Sequence, residues 1–253
     1  MPSKDLTVIT DAPIQKEENL VYKAGVLLRN ECRINTGAEI HLYKNIPVAA
    51  GLGGGSSDAA LTLVGLNKLW SLELSTRELC GIAERLGSDV PFFLHRPLAL
   101  VEGRGEKITN FNSVKSFNIL LVKPHIKISS RWAYENLDIY RNRINPGSRL
   151  APELTKTNDK VDNIKFFINA IRQAEINKNI NIPNDLESVT ARNFPVIADI
   201  KENLVREGAV FSIMSGSGPT VFGVFTSVEE AEKASKAFKE HWTAVVKTLT
   251  KED

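Results

Sequence analysis

Short segments of apolar or alternating residues recur along the chain, and such segments are typical of β-strands. The clearest alternation is at Ala38–Tyr43, where Ile40 and Leu42 are expected to point inward. The same reasoning predicts seven further strands, at Asp5–Thr10, Leu98–Val101, Ile108–Phe111, Phe117–Val122, Val210–Met214, Val221–Phe225 and Val245–Leu249.

Apolar residues with helical spacing predict the helices that alternate with these strands. Two helices begin with a predicted capping box, Ser75 with Glu78 and Ser227 with Glu230. The predicted helices are Glu17–Arg29, Ala59–Trp70, Ser75–Leu86, Ser129–Leu137, Asp162–Ala174, Leu186–Arg192, Pro195–Glu207 and Ser227–Phe238.

The order of these elements predicts an α+β chain in two parts. The composition changes near Ser113, where we expect the boundary between the parts. The polar stretch Tyr140–Thr157 contains two prolines and a glycine and is predicted to be a loop or a mobile connection.

One stretch, Lys44–Ala60, carries the most specific signal. Four of the five positions Gly51–Gly55 are glycine, which lets the backbone approach a ligand closely. Ser56, Ser57 and Asp58 follow, and these residue types favour helix N-termini, where anions bind. The stretch lacks the lysine of a Walker A loop and the last glycine of the dinucleotide fingerprint. We therefore predict a phosphate-binding loop rather than a flexible linker.

Two other segments have more than one interpretation, and a third has one. Asp89 lies in a turn, where it is either a functional carboxylate or the N-cap of a short helix at Pro91–Leu94. The glycine turn Ser215–Thr220 joins two predicted strands, as the wall of a binding cleft or as a simple hairpin turn. Asn184–Glu187 is interpreted as a helix entry that contributes to packing.

Composition narrows the classes of function. Apolar residues make up 42% of the 253 residues and charged residues 25%, an ordinary globular balance. The net charge of +2 gives no reason to expect nucleic acid or a membrane surface as a partner. Two cysteines are too few for a disulfide framework, so we expect a cytoplasmic protein. The four histidines show no metal-ligand spacing, and no metal site made of protein side chains is expected.

The glycine stretch resembles the phosphate loop of the GHMP kinase superfamily, whose pattern is Pro-x-x-x-Gly-Leu-Gly-Ser/Gly-Ser-Ser. Its form here, Ala-Gly-Leu-Gly-Gly-Gly-Ser-Ser-Asp-Ala-Ala, is similar to one branch, the kinases of 4-diphosphocytidyl-2-C-methyl-D-erythritol. Gly87–Phe93, Glu102–Glu106 and Met214–Thr220 also fit that branch. The likeness runs from Asn19 to beyond Phe225, so it covers most of the chain.

The resemblance implies a fold and an activity. Residues 1–113 would form an N-terminal ATP-binding domain of the ribosomal-protein-S5 type, and residues 114–253 a ferredoxin-like C-terminal domain. The active site would lie in the cleft between them. The activity would be ATP-dependent phosphorylation of the 2-hydroxyl of the cytidine diphosphate-linked methylerythritol, in the non-mevalonate isoprenoid pathway. The implied partner is this small molecule, and the chain would be a monomer or a homodimer.

The resemblance also implies roles for individual residues. Asp89 would accept or orient the proton of the substrate hydroxyl. Mg²⁺ would bridge the ATP phosphates with few protein ligands. Adenine would lie near Lys44 and Asn45, with Asn19 as a weaker candidate, and a solvated lysine at a strand end is the alternative for Lys44. The substrate cleft would include Ser215, Gly216, Ser217 and Gly218. The phosphate loop would comprise Pro47, Val48, Ala49, Ala50, Gly51, Leu52, Gly53, Gly54, Gly55, Ser56 and Ser57.

The sequence departs from the family pattern in its N-terminal part. The family's Pro-Ala-Lys-x-Asn-Leu and Gly-Tyr-His motifs, whose lysine pairs with the catalytic aspartate and whose rings recognise cytosine, are not found. We expect Met1 to correspond to an internal position of a longer native chain, and the alternative is a shortened, inactive relative. The chain as given is expected to turn over poorly. The sheet edge left unpaired would favour dimerisation or low solubility.

Two rival functions stay open. The first is another GHMP kinase, acting on mevalonate, homoserine or a sugar, which a panel of substrates would distinguish. The second is a non-catalytic nucleotide-binding protein, which tight ATP binding without turnover would favour.

Overall fold

The computed structural model describes residues 4–95, 98–103, 105–111, 116–144 and 183–250. The chain divides into two compact units. The first contains Met1–Val48 and Gly53–Asn112, and the second contains Ala49–Leu52 and Ser113–Asp253. The predicted helix at Asp162–Ala174, Arg104, and the predicted loop from position 145 onward lie outside the described residues.

In its described residues, the first unit contains three α-helices and two pairs of strands. The parallel pair is β1 (Leu6–Thr10) with β2 (Ala38–Leu42), and the antiparallel pair is β3 (Leu98–Glu102) with β4 (Lys107–Phe111). The helices are α1 (Leu20–Glu31), α2 (Gly54–Leu69) and α3 (Thr76–Ala83), followed by a 3₁₀ helix at Pro91–Leu94. Their apolar faces meet in one core, which includes Leu6, Leu28, Leu63, Leu79 and Val90.

The second unit contains a four-stranded antiparallel sheet. Its strands are β5 (Asn118–Lys123), β6 (Phe211–Met214), β7 (Val221–Phe225) and β8 (Trp242–Lys247), in the order β6-β7-β5-β8. Helix α4 (Ser130–Ile144) follows β5, and α7 (Val228–Ser235) with a 3₁₀ helix at Lys236–Phe238 precedes β8. This strand order and the alternation of strands and helices are those of a ferredoxin-like domain, which confirms the expected fold. Helices α5 (Asp185–Asn193) and α6 (Val196–Arg206) contribute to the hydrophobic core of this second unit.

Helix α2 begins at Gly54, not at Ala59 as predicted. Glycine has a low helix propensity, so the pattern assigned these glycines to a loop. Gly54 is buried and a Cβ on it would lie 3.0 Å from Ile46 Cγ2, so the packing at this helix start favours glycine despite its low helix propensity. Ser56, Ser57 and Asp58 consequently lie inside the helix.

Two other predictions were wrong in detail. Helix α4 continues through Tyr140 to Ile144, where a loop was predicted, because Tyr140 packs against the core of the second unit.

The capping box predicted at Ser227 is only half formed. Ser227 accepts a hydrogen bond from Glu230 N, but the Glu230 carboxylate accepts from the Thr226 hydroxyl at 2.5 Å.

The capping box at the start of α3 is confirmed. Ser75 Oγ accepts from Glu78 N at 3.3 Å, and Glu78 Oε2 accepts from Ser75 N at 2.8 Å. Hydrogen bonds from the Ser75 hydroxyl and then from its backbone N–H lower the pKa of Glu78. The helix start is thus held by two reciprocal contacts.

The substitution Ser75→Ala should lower the free energy of unfolding by about 1 kcal/mol near pH 7, measured by urea denaturation. Because the folded pKa of Glu78 is lowered, its charge-dependent stabilisation is present above the pKa of unfolded glutamate. That stabilisation disappears as the pH falls through the folded value, so the difference between variant and wild type should shrink in acid. Thr76→Ala is the matched control, and an equal loss in both variants would contradict the capping role.

Candidate active site

The glycine loop leads into a helix whose first turn has no side-chain cap. The N-cap residue is Gly53, which has a left-handed φ of 67°. It makes no side-chain hydrogen bond to the N–H groups of the first helical turn. The first N–H groups of a helix have no partner within it, and they form the positive end of the helix dipole. The start of α2 is therefore suited to bind an anion.

Lys44 lies beside this helix start. Its Nζ is 2.5 Å from Asp58 Oδ2, and its side chain is only 9% exposed. A Cβ on Gly54 would lie 3.5 Å from the same Nζ. The alternative of a solvated lysine is therefore wrong, whereas the contact of Lys44 and Asn45 with adenine stays a prediction. The sequence did not predict the partner, Asp58, although both residues flank the glycines.

The middle of the glycine loop, Ala49–Leu52, is part of the second unit, where it contacts the turn Ser215–Thr220. Gly51 O accepts a hydrogen bond from Ser215 Oγ at 2.9 Å, and Ala50 O accepts from Thr220 N at 3.2 Å. Gly51 approaches the turn so closely that a Cβ on it would lie 2.3 Å from Gly218 O. The structure thus brings together two segments that sequence analysis singled out separately. Ser215–Thr220 connects the paired strands β6 and β7, so it is a hairpin turn that also holds the glycine loop.

The four residues predicted for the substrate cleft differ in their contacts. Ser217 is buried, and its hydroxyl lies 2.9 Å from Ser130 Oγ at the start of α4. Gly218 N donates to Ser215 O at 2.9 Å and closes the turn. These contacts explain the shape of the turn, and a contact with substrate stays a prediction.

Asp89 is exposed and lies in a turn next to a residue that is buried in the core. Its neighbour Val90 is fully buried and donates a hydrogen bond from its N–H to Gly87 O at 3.1 Å. The N-cap of the short helix at Pro91–Leu94 is Val90, and no described side chain caps it. The alternative interpretation of Asp89 as an N-cap is therefore wrong. No described residue hydrogen-bonds to its carboxylate, which leaves that group available to a ligand.

Three motif segments of the first unit lie next to one another. Phe93, from the segment that carries Asp89, packs on the start of α2, since a Cβ on Gly53 would lie 2.6 Å from Phe93 Cζ. The hairpin between β3 and β4 meets the same segment, because a Cβ on Gly105 would lie 2.2 Å from Ser88 O. The uncapped start of α2 and the segment that carries Asp89 thus pack next to each other.

Two classes of site find no support in the described part of the chain. Those residues include no group of three histidine, cysteine, aspartate or glutamate side chains placed to hold a metal ion. They also include no helix whose length and apolar character would let it cross a membrane.

The fold and these motifs define a class of protein. The family model for the GHMP kinase N-terminal domain matches residues 19–96, and the model for the GHMP kinase C-terminal domain matches residues 167–244. The chain belongs to the GHMP kinase family.

One individual relative and two solved structures are similar to nearly the whole chain. A 4-diphosphocytidyl-2-C-methyl-D-erythritol kinase of Thermodesulfovibrio yellowstonii is 43% identical over 98% of this chain and 83% of its own length. A crystal structure of a 4-(cytidine 5'-diphospho)-2C-methyl-D-erythritol kinase gives a TM-score of 0.73 at 27% identity, over 97% of this chain and 83% of that one. A homoserine kinase of Cytophaga hutchinsonii gives 0.75 at 18% identity, over 98% and 83%, which shows a shared fold alone.

The substitution Asp58→Asn should destabilise the protein, because it leaves the ammonium of Lys44 beside the positive end of α2 without a carboxylate. We expect a loss of about 2 kcal/mol in the free energy of unfolding, the scale of a hydrogen bond between charged groups. The double variant Lys44→Met with Asp58→Asn should recover most of that loss, since it removes the unpaired charge.

Glu31→Gln is the control, because it breaks the exposed pair between Arg85 and Glu31, whose side chains are 56% and 51% exposed. That substitution should cost about 0.5 kcal/mol or less. Urea denaturation of all variants measures the differences. The single variant Lys44→Met completes the comparison, and a double variant whose loss equals the sum of the two single losses would show that the pair is not coupled.

Proposed function

We propose that this protein is an ATP-dependent kinase that phosphorylates the 2-hydroxyl of 4-diphosphocytidyl-2-C-methyl-D-erythritol in the non-mevalonate isoprenoid pathway. The observation that carries the proposal is the packing of the uncapped start of α2 against the segment of Asp89. A phosphate-binding position and an exposed carboxylate are two of the groups that phosphoryl transfer to an alcohol uses. The relative named for this substrate, with 43% identity over 98% of the chain, supports the choice of substrate.

The residues around α2 fit a triphosphate. The first-turn N–H groups of the helix would bind phosphate oxygens, and the ammonium of Lys44 would balance their charge. Ser57 Oγ donates to Gly54 O at 2.9 Å, so in this orientation its lone pairs could bind Mg²⁺, but its proton is not available to a phosphate oxygen. Bound ATP with Mg²⁺ would supply the phosphoryl group and part of the charge neutralisation. Mg²⁺ usually keeps water and phosphate ligands, so a cluster of protein carboxylates is not needed.

Asp89 would orient the substrate hydroxyl and accept its proton. The buried Val90 fixes the backbone next to Asp89, while its carboxylate stays exposed. A general base must lie within hydrogen-bond reach of the proton that it accepts, and an exposed carboxylate on a fixed turn supports this role for Asp89. Ser215, Gly216, Ser217 and Gly218 are proposed to approach substrate or phosphate from the hairpin turn. A cytoplasmic location belongs to the same proposal, and both cysteines are free thiols.

The proposal predicts a strong preference among acceptors. The cytidyl compound should stimulate ADP formation at least about tenfold more than homoserine or mevalonate, since a site that hydrogen-bonds one substrate rejects others. The assay uses this chain, and also the chain extended by the N-terminal segment of the family, which carries the lysine that these 253 residues lack. Equal stimulation by all acceptors would favour another GHMP kinase. Tight ATP binding without turnover in either form would favour the non-catalytic alternative.

The substitution Asp89→Asn should lower the turnover rate by about 10²- to 10⁴-fold, the usual contribution of a general acid or base. The dissociation constant for ATP should change less than about twofold, because the helix start and Lys44 are intact. Asp138→Asn, an exposed change on α4, is the matched control and should leave both quantities unchanged. Normal turnover in Asp89→Asn would assign the catalytic role to another residue.

A further inference from the structure

Asn184 and Glu187 lie at the start of α5 and contact the glycine turn that follows β6. Asn184 Nδ2 donates to Met214 O at 3.0 Å and to Gly216 O at 2.9 Å. Glu187 Oε2 accepts from Met214 N at 2.8 Å. Both polar groups of the Met214 backbone are therefore held by side chains from one helix turn.

Asn184 has two roles that can be separated. Its Oδ1 accepts from Leu186 N at 3.0 Å, which makes it the N-cap of α5. Its amide group uses both N–H donors on the turn, which is the full donor capacity of the side chain. The cap stabilises α5, while the two donated bonds act on a segment some thirty residues further along the chain.

Glu187 is itself fixed in place. Its carboxylate pairs with the ammonium of Lys201 on α6, and its side chain is only 15% exposed. An ion pair of this kind leaves the second carboxylate oxygen in a defined position, where it accepts the N–H of Met214. Helices α5 and α6 thus both contribute to the place where β6 ends and the turn begins.

Hydrogen bonds also connect the turn Ser215–Thr220 to the glycine loop. Inside the turn, Ser215 N donates to Thr220 O at 2.8 Å. From the turn, the Ser215 hydroxyl and the Thr220 N–H bind the carbonyls of Gly51 and Ala50 at 2.9 and 3.2 Å. A continuous series of hydrogen bonds therefore runs from α5 to the loop.

We propose that Asn184 and Glu187 are positioning residues that hold the turn Ser215–Thr220 and, through it, Ala50 and Gly51 of the phosphate loop. The loop segment has no regular structure of its own, so its backbone direction depends on these bonds. Preorganised donors bind a charged ligand better than mobile ones, because less order must be created on binding. The effect on ATP rests on the proposed function, whereas the ordering of the loop does not.

The experiment uses Asn184→Ser, which keeps an N-cap side chain and removes both donors to the turn without adding charge. Asn193→Ser is the matched control, since Asn193 Nδ2 donates at 2.9 Å to Val189 O within the same helix. Two readouts are followed in the full chain. One is the hydrogen-exchange rate of the Thr220 amide without ligand, and the other is the dissociation constant for ATP.

Asn184→Ser should speed exchange at Thr220 and weaken ATP binding by about tenfold each, the scale of one or two net hydrogen bonds. Asn193→Ser should leave both within about twofold of the wild type. Unchanged exchange in Asn184→Ser would overturn the positioning role. If the wild-type protein fails to bind ATP, the proposed function fails, and the exchange rates still decide the positioning.

Ser215→Ala gives a second, smaller change in the same series. It removes the hydroxyl that binds Gly51 O and should also weaken ATP binding. The combined variant Asn184→Ser with Ser215→Ala should lose less than the product of the two single losses, because both changes break one series of contacts. Independent effects would show that Asn184 acts only on the stability of α5.

Discussion

Two hydrogen bonds to the carbonyls of Ala50 and Gly51 determine how the glycine loop presents its backbone. In a trans peptide unit the C=O and N–H groups point in opposite directions. The bonds from Thr220 N and Ser215 Oγ therefore also fix the N–H groups of Gly51 and Leu52. A loop meant to bind phosphate needs its N–H groups, and not its carbonyls, directed at the anion. Binding the carbonyls elsewhere is the direct way to achieve this.

This arrangement explains why glycine stands at position 51. The loop also has an unfavourable backbone conformation at one residue. Gly51 lies too close to Gly218 O for any side chain, with 2.3 Å left for a Cβ. Ala49 has a positive φ of 54°, a left-handed conformation that costs an L-residue about 1–2 kcal/mol. The hydrogen bonds from the hairpin turn offset part of that cost. Backbone strain of this kind is often found at ligand-binding sites, which agrees with the proposed role of the loop.

The features that the sequence predicts correctly depend on residues that are close together along the chain. The alternation of β2 and the Ser75–Glu78 capping box depend on residues a few positions apart, and both are confirmed. Helix α2 begins earlier than predicted, at glycines whose low helix propensity indicates a loop, and the close approach of Ile46 to Gly54 that favours glycine there cannot be seen in the sequence. The pairing of Lys44 with Asp58, and the donors of Asn184, join residues that are distant along the chain. Side-chain contacts of that kind follow from the fold, and no sequence period reveals them.

A shared fold does not by itself determine which substrate a member of this family phosphorylates. The homoserine kinase shares the fold with a TM-score of 0.75 at only 18% identity, so the fold does not select the acceptor. In the roles proposed for them, the uncapped start of α2 and the carboxylate of Asp89 would serve any phosphoryl transfer to an alcohol. Neither group distinguishes a cytidyl compound from homoserine. Acceptor choice must therefore depend on side chains other than these, and the Gly-Tyr-His motif expected to read cytosine is not among the 253 residues. The loop and Asp89 carry the argument for kinase chemistry, while the 43% identity to a named relative carries the argument for the substrate.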